Sequence, residues 1–210
     1  MFERLKEDIA CIMDRDPAAK SAAEVYFLYP GFKAIRSHRR ANWFYRRRMF
    51  LIARLISQWC VRRTGIEIHP GAQIGRRFFI DHGTGIVIGE TTVIGDDVTM
   101  YQGATLGGTG KECGKRHPTI GNNVMIGAGA KVLGPVSVGD NSKIAAGAVV
   151  IKTIPPNSTA VGIPARIVRR NGKRTQDLDQ IHIPDPISHE LIRLQREIDK
   201  LKKTTEVEKQ

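Results

Sequence analysis

The sequence has no long apolar run, no secretory leader and few cysteines, and each absence excludes a class of protein. Its apolar stretches fall well short of the ~20 residues that a membrane-spanning helix requires, and the charged start MFERLKEDIA lacks the apolar core of a signal peptide. Cys11, Cys60 and Cys113 are far apart and odd in number, which indicates neither a disulfide framework nor a zinc knuckle. We therefore predict a soluble cytoplasmic protein without a membrane partner.

The chain carries a net charge of +12, and the excess lies in its flanks rather than in its middle. The stretch RSHRRANWFYRRR is basic enough to attract nucleic acid, but it has no recognisable nucleic-acid fold signature. We interpret it as a solvated helix face with interspersed aromatic residues, and we predict no nucleic-acid partner. A basic surface of this kind would also attract a polyphosphate ligand.

The middle of the chain is an internal repeat with a period of six. Twelve hexads, such as IHPGAQ, IGNNVM and IAAGAV, run between Ile68 and Pro155, with a two-residue slip after IDHGTG. Most begin with an aliphatic residue, and glycine often follows it. This period is typical of a parallel β-helix, in which each hexad supplies one short strand and one turn, and three hexads complete a triangular coil. The aliphatic positions then stack into a continuous core.

The repeat is interrupted once, by LGGTGKECGKRHPT at Leu106–Thr119. The stretch is glycine-rich, basic and too irregular to form a coil, so we predict an excursion loop over 106–119. An inserted surface loop without a role would also be tolerated. We favour a functional loop, because it returns with an arginine next to a histidine.

The flanks are predicted to be helical. A first helix has one apolar face, formed by Phe2, Leu5, Ile9 and Ile12. A second helix is predicted to start at Asp16 and Pro17 and to run to about Leu28. A further helix ends near Gly65 and is marked by Ile52, Leu55, Ile56 and Trp59. The prediction is an α+β chain with a helical domain at 1–66, the β-helix at 67–170 and a C-terminal tail at 171–210. In that tail, apolar residues spaced alternately four and three apart predict a helix at about 187–203, which is too short to be stable alone. It would pack either on its own β-helix or, as we prefer, against a neighbouring subunit. The residues are Ile187, Leu191, Leu194, Ile198 and Leu201.

Several motifs in order resemble the serine O-acetyltransferases of cysteine biosynthesis, in their short form. They are RDPA, DHGTGIVIGET, TLGGTGK, KRHPTI and VGIPARIV, and the resemblance covers about residues 1–170. It implies a left-handed β-helix, a homotrimer with active sites between subunits, and transfer of acetyl from acetyl-CoA to L-serine without an acyl-enzyme. Feedback inhibition by L-cysteine is also implied. Because the chain ends at Gln210 instead of isoleucine, a complex with cysteine synthase is not expected.

His82 is the predicted general base. Asp81 is adjacent to it, Glu67 lies about one coil earlier, and glycines around His82 clear space for a ligand. Neutral imidazole suits removal of a proton from a hydroxyl, and a carboxylate on its other nitrogen would fix the tautomer. The resemblance assigns the orienting role to Glu67, where the family commonly has aspartate.

The resemblance also implies residues that bind the substrates. Arg116 would bind the serine carboxylate with His117 beside it, and Asp16 and Asp81 would face the ammonium group. Asp16 has the alternative role of a helix cap, and His69 is interpreted as structural. For acetyl-CoA, the implied contacts are Gly108, Ala128 and Ala146 along the pantetheine arm, and Lys143 and Arg166 at the phosphates.

Other functions fit the sequence less well. The fold also serves acetyltransferases that act on a sugar or another hydroxyl, but these do not share the combination of motifs above. A carbonic anhydrase of the same fold needs three converging histidines; only His82 and His117 are available, so no metal is predicted. A non-enzymatic scaffold would not require this constellation. Cys113 as an acyl-carrying nucleophile is disfavoured, because no base is predicted beside it.

Overall fold

The computed structural model describes residues 2–110, 114–168, 194–195 and 198, and it shows a helical segment followed by a parallel β-helix. The predicted fold class is thereby confirmed. The helices of the N-terminal segment are α1 (Phe2–Arg15), α2 (Ala22–Leu28), α3 (Pro30–Arg46) and α4 (Phe50–Thr64). Among the described residues, no helix combines the length and apolar character needed to cross a bilayer. Most of the predicted C-terminal helix, and Cys113, lie outside the described residues.

Three sheets form the faces of the β-helix, and successive strands from β1 to β13 belong to successive faces. Face A contains β1 (Glu67–Ile68), β4 (Val87–Ile88), β7 (Thr105–Gly107), β10 (Lys131–Leu133) and β13 (Val149–Val150). Face B contains β2 (Gln73–Ile74), β5 (Val93–Ile94), β8 (Thr119–Ile120) and β11 (Ser137–Val138). Face C contains β3 (Phe79–Asp81), β6 (Thr99–Tyr101), β9 (Met125–Ile126), β12 (Lys143–Ile144), β14 (Thr159–Val161) and an antiparallel β15 (Arg166–Val168).

The core of the β-helix is the stack of aliphatic residues that begin the hexads. The first residues of all twelve hexads are buried or, at Ile74, partly buried. They include Ile68, Ile80, Ile88, Met100, Ile126 and Ile144. Parallel pairing places each of them over its equivalent in the next coil, at roughly 4.8 Å spacing. One coil alone would leave its apolar residues exposed at both ends, so the stack is stabilised by contacts between neighbouring coils.

The helical segment packs on the first coils through one close approach and a set of ion pairs. A methyl group at Gly31 of α3 would overlap the carbonyl oxygen of Ile80, so only glycine allows this approach. From α1, Glu7 accepts hydrogen bonds from Arg76 and Arg77, and Arg15 donates to the Asp97 carboxylate at 2.9 Å. These contacts fix the end of α1, and hence the position of the residue that follows it, Asp16.

One boundary in the helical segment differs from the prediction. The second helix begins at Ala22, where the Ser21 hydroxyl accepts a hydrogen bond from the Glu24 amide at 3.2 Å, and not at Asp16 and Pro17. Asp16 instead stabilises the turn after α1, since its carboxylate accepts a hydrogen bond from the Ala18 amide at 2.8 Å. The prediction placed the cap one turn too early because Asp-Pro also favours a turn.

The predicted end of the helix at Gly65 is confirmed: α4 ends at Thr64, and Gly65 adopts a φ of 68°. However, the apolar stripe of α4 faces outward, with Leu55 62% and Trp59 54% exposed. The buried side of α4 consists of Ala53, Ser57, Cys60 and Thr64. On this side the Ser57 hydroxyl donates to the Ile68 carbonyl of the first coil at 3.0 Å, and the larger apolar side chains lie on the outside.

Candidate active site

His82 lies at an enlarged corner between faces C and A. Asp81 pairs with Tyr101, and Val87 pairs with Thr105. Five residues therefore separate the paired positions in the first coil, whereas three separate them in the second. The two added residues explain the slip in the hexad period. They carry the chain outward, and His82 is exposed there with a φ of 58°.

Gly83 makes this corner possible. Its φ is 97°, which L-residues rarely adopt. A methyl group on it would also lie 2.5 Å from the Ile66 side chain and 2.7 Å from that of Ile80. The backbone after His82 is thus pressed against the core, and the imidazole is directed away from it.

Two carboxylates lie near His82. Asp81 is half-buried, and burial raises the pKa of its carboxyl; the charge of His82 lowers that pKa, and the charge of Asp16 raises it. Asp16 accepts a hydrogen bond from the Tyr29 hydroxyl at 2.7 Å. Burial, followed by this bond, raises the pKa of Tyr29, so the phenol remains a donor. Within the described chain, no ion pair neutralises Asp16 or Asp81, so together they form a site suited to a cation.

Glu67 lies at the same edge of face A as His82. It is the first residue of β1, pairs with Val87 of the next coil, and is partly exposed while its neighbour Ile68 is buried. The described residues contain no hydrogen bond between the Glu67 carboxylate and the His82 imidazole. The structure thus brings the two residues to one edge without joining them.

A second cluster surrounds Arg116 at the exit of the excursion loop. The Arg116 guanidinium donates to one oxygen of Glu90 at 2.6 Å, and the Tyr45 hydroxyl of α3 donates to the other at 2.8 Å. The Tyr45 bond is the largest cause of a lowered pKa at Glu90. Glu90 is consequently an anionic bridge that ties the guanidinium to the helical segment.

His117 is buried in the same cluster, beside Thr91. Its Nδ1 lies 2.9 Å from the Thr91 hydroxyl and 3.2 Å from the Thr91 amide nitrogen. Burial is the main cause of a lowered pKa at His117, and the charge of Arg116 adds to it. A methyl group at Gly89 would overlap the His117 ring, so the glycine before Glu90 makes room for the imidazole.

The two clusters lie at opposite edges of face A in one chain. Asp81 and His82 precede β4, whereas Glu90 and Thr91 follow it and hold Arg116 and His117. Strands of one parallel sheet share a direction, so residues before and after them are on opposite edges. The structure therefore groups the predicted site residues into two half-sites, one around Asp81 and His82 and the other around Arg116 and His117. Within one chain these two half-sites lie apart.

The predicted acetyl-CoA contacts divide between these edges and face C. Ala128 and Ala146 occupy the corners of later coils that lie in line with the His82 corner. A ladder of backbone hydrogen bonds joins these corners, from Gly147 to Ala128, from Gly129 to Gln102 and from Gly103 to Thr84. Gly108 is at the other edge, against Arg116 and His117. The remaining two lie on face C: Lys143, partly buried on β12, and Arg166, exposed on β15.

Four residues of the two clusters were not predicted from the sequence: Tyr29, Tyr45, Glu90 and Thr91. Glu90 and Thr91 stand within the motif GIVIGET, but no spacing rule links them to Arg116 and His117, about 26 residues later. The tyrosines come from the helical segment, where a lone hydroxyl carries no signal in sequence.

His69 is partly buried, and its Nδ1 accepts a hydrogen bond from the Gly71 amide at 3.0 Å. Among the residues the structure describes, no three His, Cys, Asp or Glu side chains are grouped as metal ligands would be.

Comparison with known proteins identifies the family. Residues 117–152 match the family described as bacterial transferase hexapeptide (six repeats). A serine acetyltransferase of Bacillus pumilus is 57% identical over 202 residues, which are 96% of this chain and 93% of the relative. The chain belongs to the serine acetyltransferase family.

Solved members of the serine acetyltransferase family share the fold. The enzyme of Brucella abortus, solved in complex with coenzyme A, is 45% identical with a TM-score of 0.79, covering 81% of this chain and 68% of its own. A serine acetyltransferase in complex with cysteine is 41% identical with a TM-score of 0.83, covering 86% of this chain and 71% of its own. The family predicted from the sequence is thereby confirmed.

Proposed function

We propose that this chain transfers the acetyl group of acetyl-CoA to the hydroxyl of L-serine, giving O-acetyl-L-serine and CoA, with His82 as general base. The observation that carries the proposal is the enlarged corner, which places an exposed imidazole beside two carboxylates that form no ion pair with any described residue. Membership of the serine acetyltransferase family supports the same reaction, and the relative that binds coenzyme A supports the cosubstrate. The carboxylates favour an amino acid over a sugar, because a neutral sugar has no ammonium group to place between them.

In the proposed reaction, His82 removes the proton from the serine hydroxyl as its oxygen attacks the thioester carbonyl carbon. The carbon–sulfur bond then breaks, and the imidazolium returns the proton to the leaving CoA sulfur. Glu67 would stabilise the imidazolium and orient the ring. Such bonds are often long before a substrate is bound, which agrees with the absence of a Glu67–His82 hydrogen bond here.

The proposed contacts to serine use both clusters. Asp16 and Asp81 bind the ammonium group, and Tyr29 keeps Asp16 in place through its hydrogen bond. Arg116 binds the carboxylate, for which a guanidinium offers two parallel donors. Since Glu90 takes one terminal nitrogen of Arg116, the other guanidinium donors are those left for substrate.

The proposed assembly is the homotrimer that the family resemblance implies, and the two half-sites at opposite edges of face A in each chain fit such a head-to-tail arrangement. The edge with His82 in one subunit would face the edge with Arg116 and His117 in its neighbour, so that every interface contains one complete site. The pantetheine arm would run along Ala128 and Ala146 on the first edge, with Gly108 contributed from the second. Lys143 and Arg166 remain the proposed contacts of the phosphates.

A cytoplasmic location is part of the proposal. The thiols of Cys11 and Cys60 are free and buried, a state that a reducing compartment preserves.

The decisive experiment follows CoA release with serine, with a panel of sugars and without an acceptor. We expect CoA release when serine is the acceptor, and none with the sugars or without an acceptor. His82→Ala should lower kcat by about 100-fold or more, and Glu67→Gln should lower it less, because the base remains. Lys152→Ala, an exposed substitution outside both clusters, is the control. Turnover of His82→Ala at the wild-type rate would remove His82 as the base, and release with sugars but not with serine would overturn the substrate.

A further inference from the structure

The Thr91 hydroxyl contacts three nitrogen atoms of the neighbouring Arg116–His117 segment. The amides of Arg116 and His117 each lie 3.1 Å from it, and Nδ1 of the His117 ring lies 2.9 Å from it. The Thr91 amide also points at the same Nδ1, at 3.2 Å. All four contacts are within hydrogen-bonding distance.

The direction of each of these bonds follows from what the atoms can donate. A backbone amide can only donate, and a hydroxyl has one proton and two lone pairs. The Arg116 and His117 amides therefore occupy both lone pairs of the Thr91 hydroxyl, which leaves its proton to be donated to Nδ1. Nδ1 receives this bond and the one from the Thr91 amide, so it has no proton of its own, and the neutral ring must carry its proton on Nε2.

The Nε2 end of the ring lies between two glycines. A methyl group at Gly89 would overlap Nε2, and one at Gly108 would lie 3.2 Å from it. His117 is only 8% exposed. Because neither position carries a side chain, only glycine backbone lies against Nε2 there.

We propose that Thr91 is a positioning residue that holds His117 as a neutral hydrogen-bond donor at Nε2, directed at a carboxylate oxygen of the substrate. The inference rests on the proposed function for the identity of that oxygen. It assigns the two histidines different tasks: His82 exchanges a proton, whereas His117 donates a hydrogen bond and keeps its proton. A protonated His117 would direct an Nδ1 proton at two other donors, so its environment opposes protonation.

The charged groups that face His117 agree with this assignment. Burial is the largest cause of the lowered pKa of His117, and the positive charge of Arg116 is the next. The charge of Glu90 raises this pKa in part, and that of Lys115 lowers it further. Lys115 is itself held in place, since its ammonium group donates to the Thr91 carbonyl at 2.7 Å and to the Pro118 carbonyl at 3.1 Å. The local charges and the hydrogen bonds therefore both favour the neutral ring.

The direct test is nitrogen-15 NMR of the histidine side chains in the full-length protein, without substrate. The His117 signals are assigned by their loss in His117→Gln. We expect Nε2 to carry the proton and Nδ1 to carry none, with no titration around the ordinary histidine pKa of about 6.5. A proton on Nδ1, or titration of His117 near that value, would overturn the proposal. Since no turnover is needed, this result is independent of whether serine is the substrate.

Two substitutions of Thr91 separate positioning from folding. Thr91→Val keeps the shape but removes the hydroxyl, so only the longer bond from the residue 91 amide still holds Nδ1 without a proton. The Nδ1-protonated tautomer of His117 should therefore gain population, and the ring should titrate at a higher pH. The KM of this variant for serine should rise by roughly tenfold while kcat changes less, because a hydrogen bond to a charged group is weakened. Thr91→Ser keeps the hydroxyl and should restore the Nε2 tautomer and the KM. If Thr91→Ser behaved like Thr91→Val, or if Thr91→Val kept the wild-type tautomer, the hydroxyl would not be the positioning group.

The same samples distinguish failure of this inference from failure of the proposed function. If the tautomer is as expected but serine supports no CoA release in the wild type, the proposed function is wrong and the role of Thr91 in holding the ring stands. If serine is acetylated but His117 is protonated on Nδ1, the positioning proposal is wrong and the reaction stands.

Discussion

The bond from Tyr45 to Glu90 makes a prediction that joins the helical segment to substrate binding. Tyr45→Phe removes one hydroxyl and leaves the ring in place, at 5.1 Å from Phe50 and 5.7 Å from His69. A hydrogen bond to a charged acceptor contributes about 1.5–3 kcal/mol when it is buried. Because the Glu90 side chain is 32% exposed, water replaces part of that interaction, and we expect a loss of about 1 kcal/mol in the free energy of unfolding.

The pH dependence of this loss has a definite sign. The Tyr45 bond is the largest cause of the lowered pKa of Glu90. A carboxyl whose folded pKa is lowered contributes stability above its unfolded pKa of about 4.3, and that stability is lost as the pH falls through the folded pKa. The difference between wild type and Tyr45→Phe should therefore be largest near pH 7 and should shrink below about pH 4.

The assay is urea unfolding at pH 7 and at about pH 3, at one fixed protein concentration, since the proposed assembly would make apparent stability depend on concentration. Serine kinetics are measured on the same samples, and KM should rise because Arg116 loses part of the support of its Glu90 partner. Tyr26→Phe, whose hydroxyl is not part of either cluster, is the matched control. Equal stability of wild type and Tyr45→Phe at pH 7, together with an unchanged KM, would refute the reasoning.

Three further predictions concern the corner, the ammonium contact and regulation. Gly83→Ala should destabilise the protein by about 1–2 kcal/mol from its left-handed backbone alone, and by more from overlap with Ile66; a thermal melt unchanged from wild type would contradict this. Tyr29→Phe should raise KM for serine several-fold with little change in kcat, because Asp16 loses its donor; a fall in kcat alone would point elsewhere. L-Cysteine should inhibit competitively with serine, since it offers the same ammonium and carboxylate groups to Asp16 and Arg116; full activity at millimolar cysteine in initial-rate assays would reject this.

The β-helix was predictable because its information is local and repeated. Each hexad places one aliphatic residue inward, and the burial of Ile68, Ile88 and Ile126 follows from their position in the period. The slip of two residues after IDHGTG was also visible in the sequence, and it coincides with the corner that carries His82. Periodicity determines which residues are inside, and a break in it marks where the chain leaves the regular path.

The partners within each cluster were decided by the tertiary structure alone. Tyr45 meets Glu90 only because α3 packs on the first coils, and Thr91 meets His117 only because the excursion loop returns beside it. Hydrogen bonds between residues so far apart in the chain leave no periodic signal. The sequence by itself determined the coils, the outward turn at His82 and the family motifs. The tertiary structure decided which hydroxyl holds which side chain. It also decided that the small residues of α4 face the core while Trp59 faces outward, because close packing depends on the shape of a side chain as well as on its hydrophobicity.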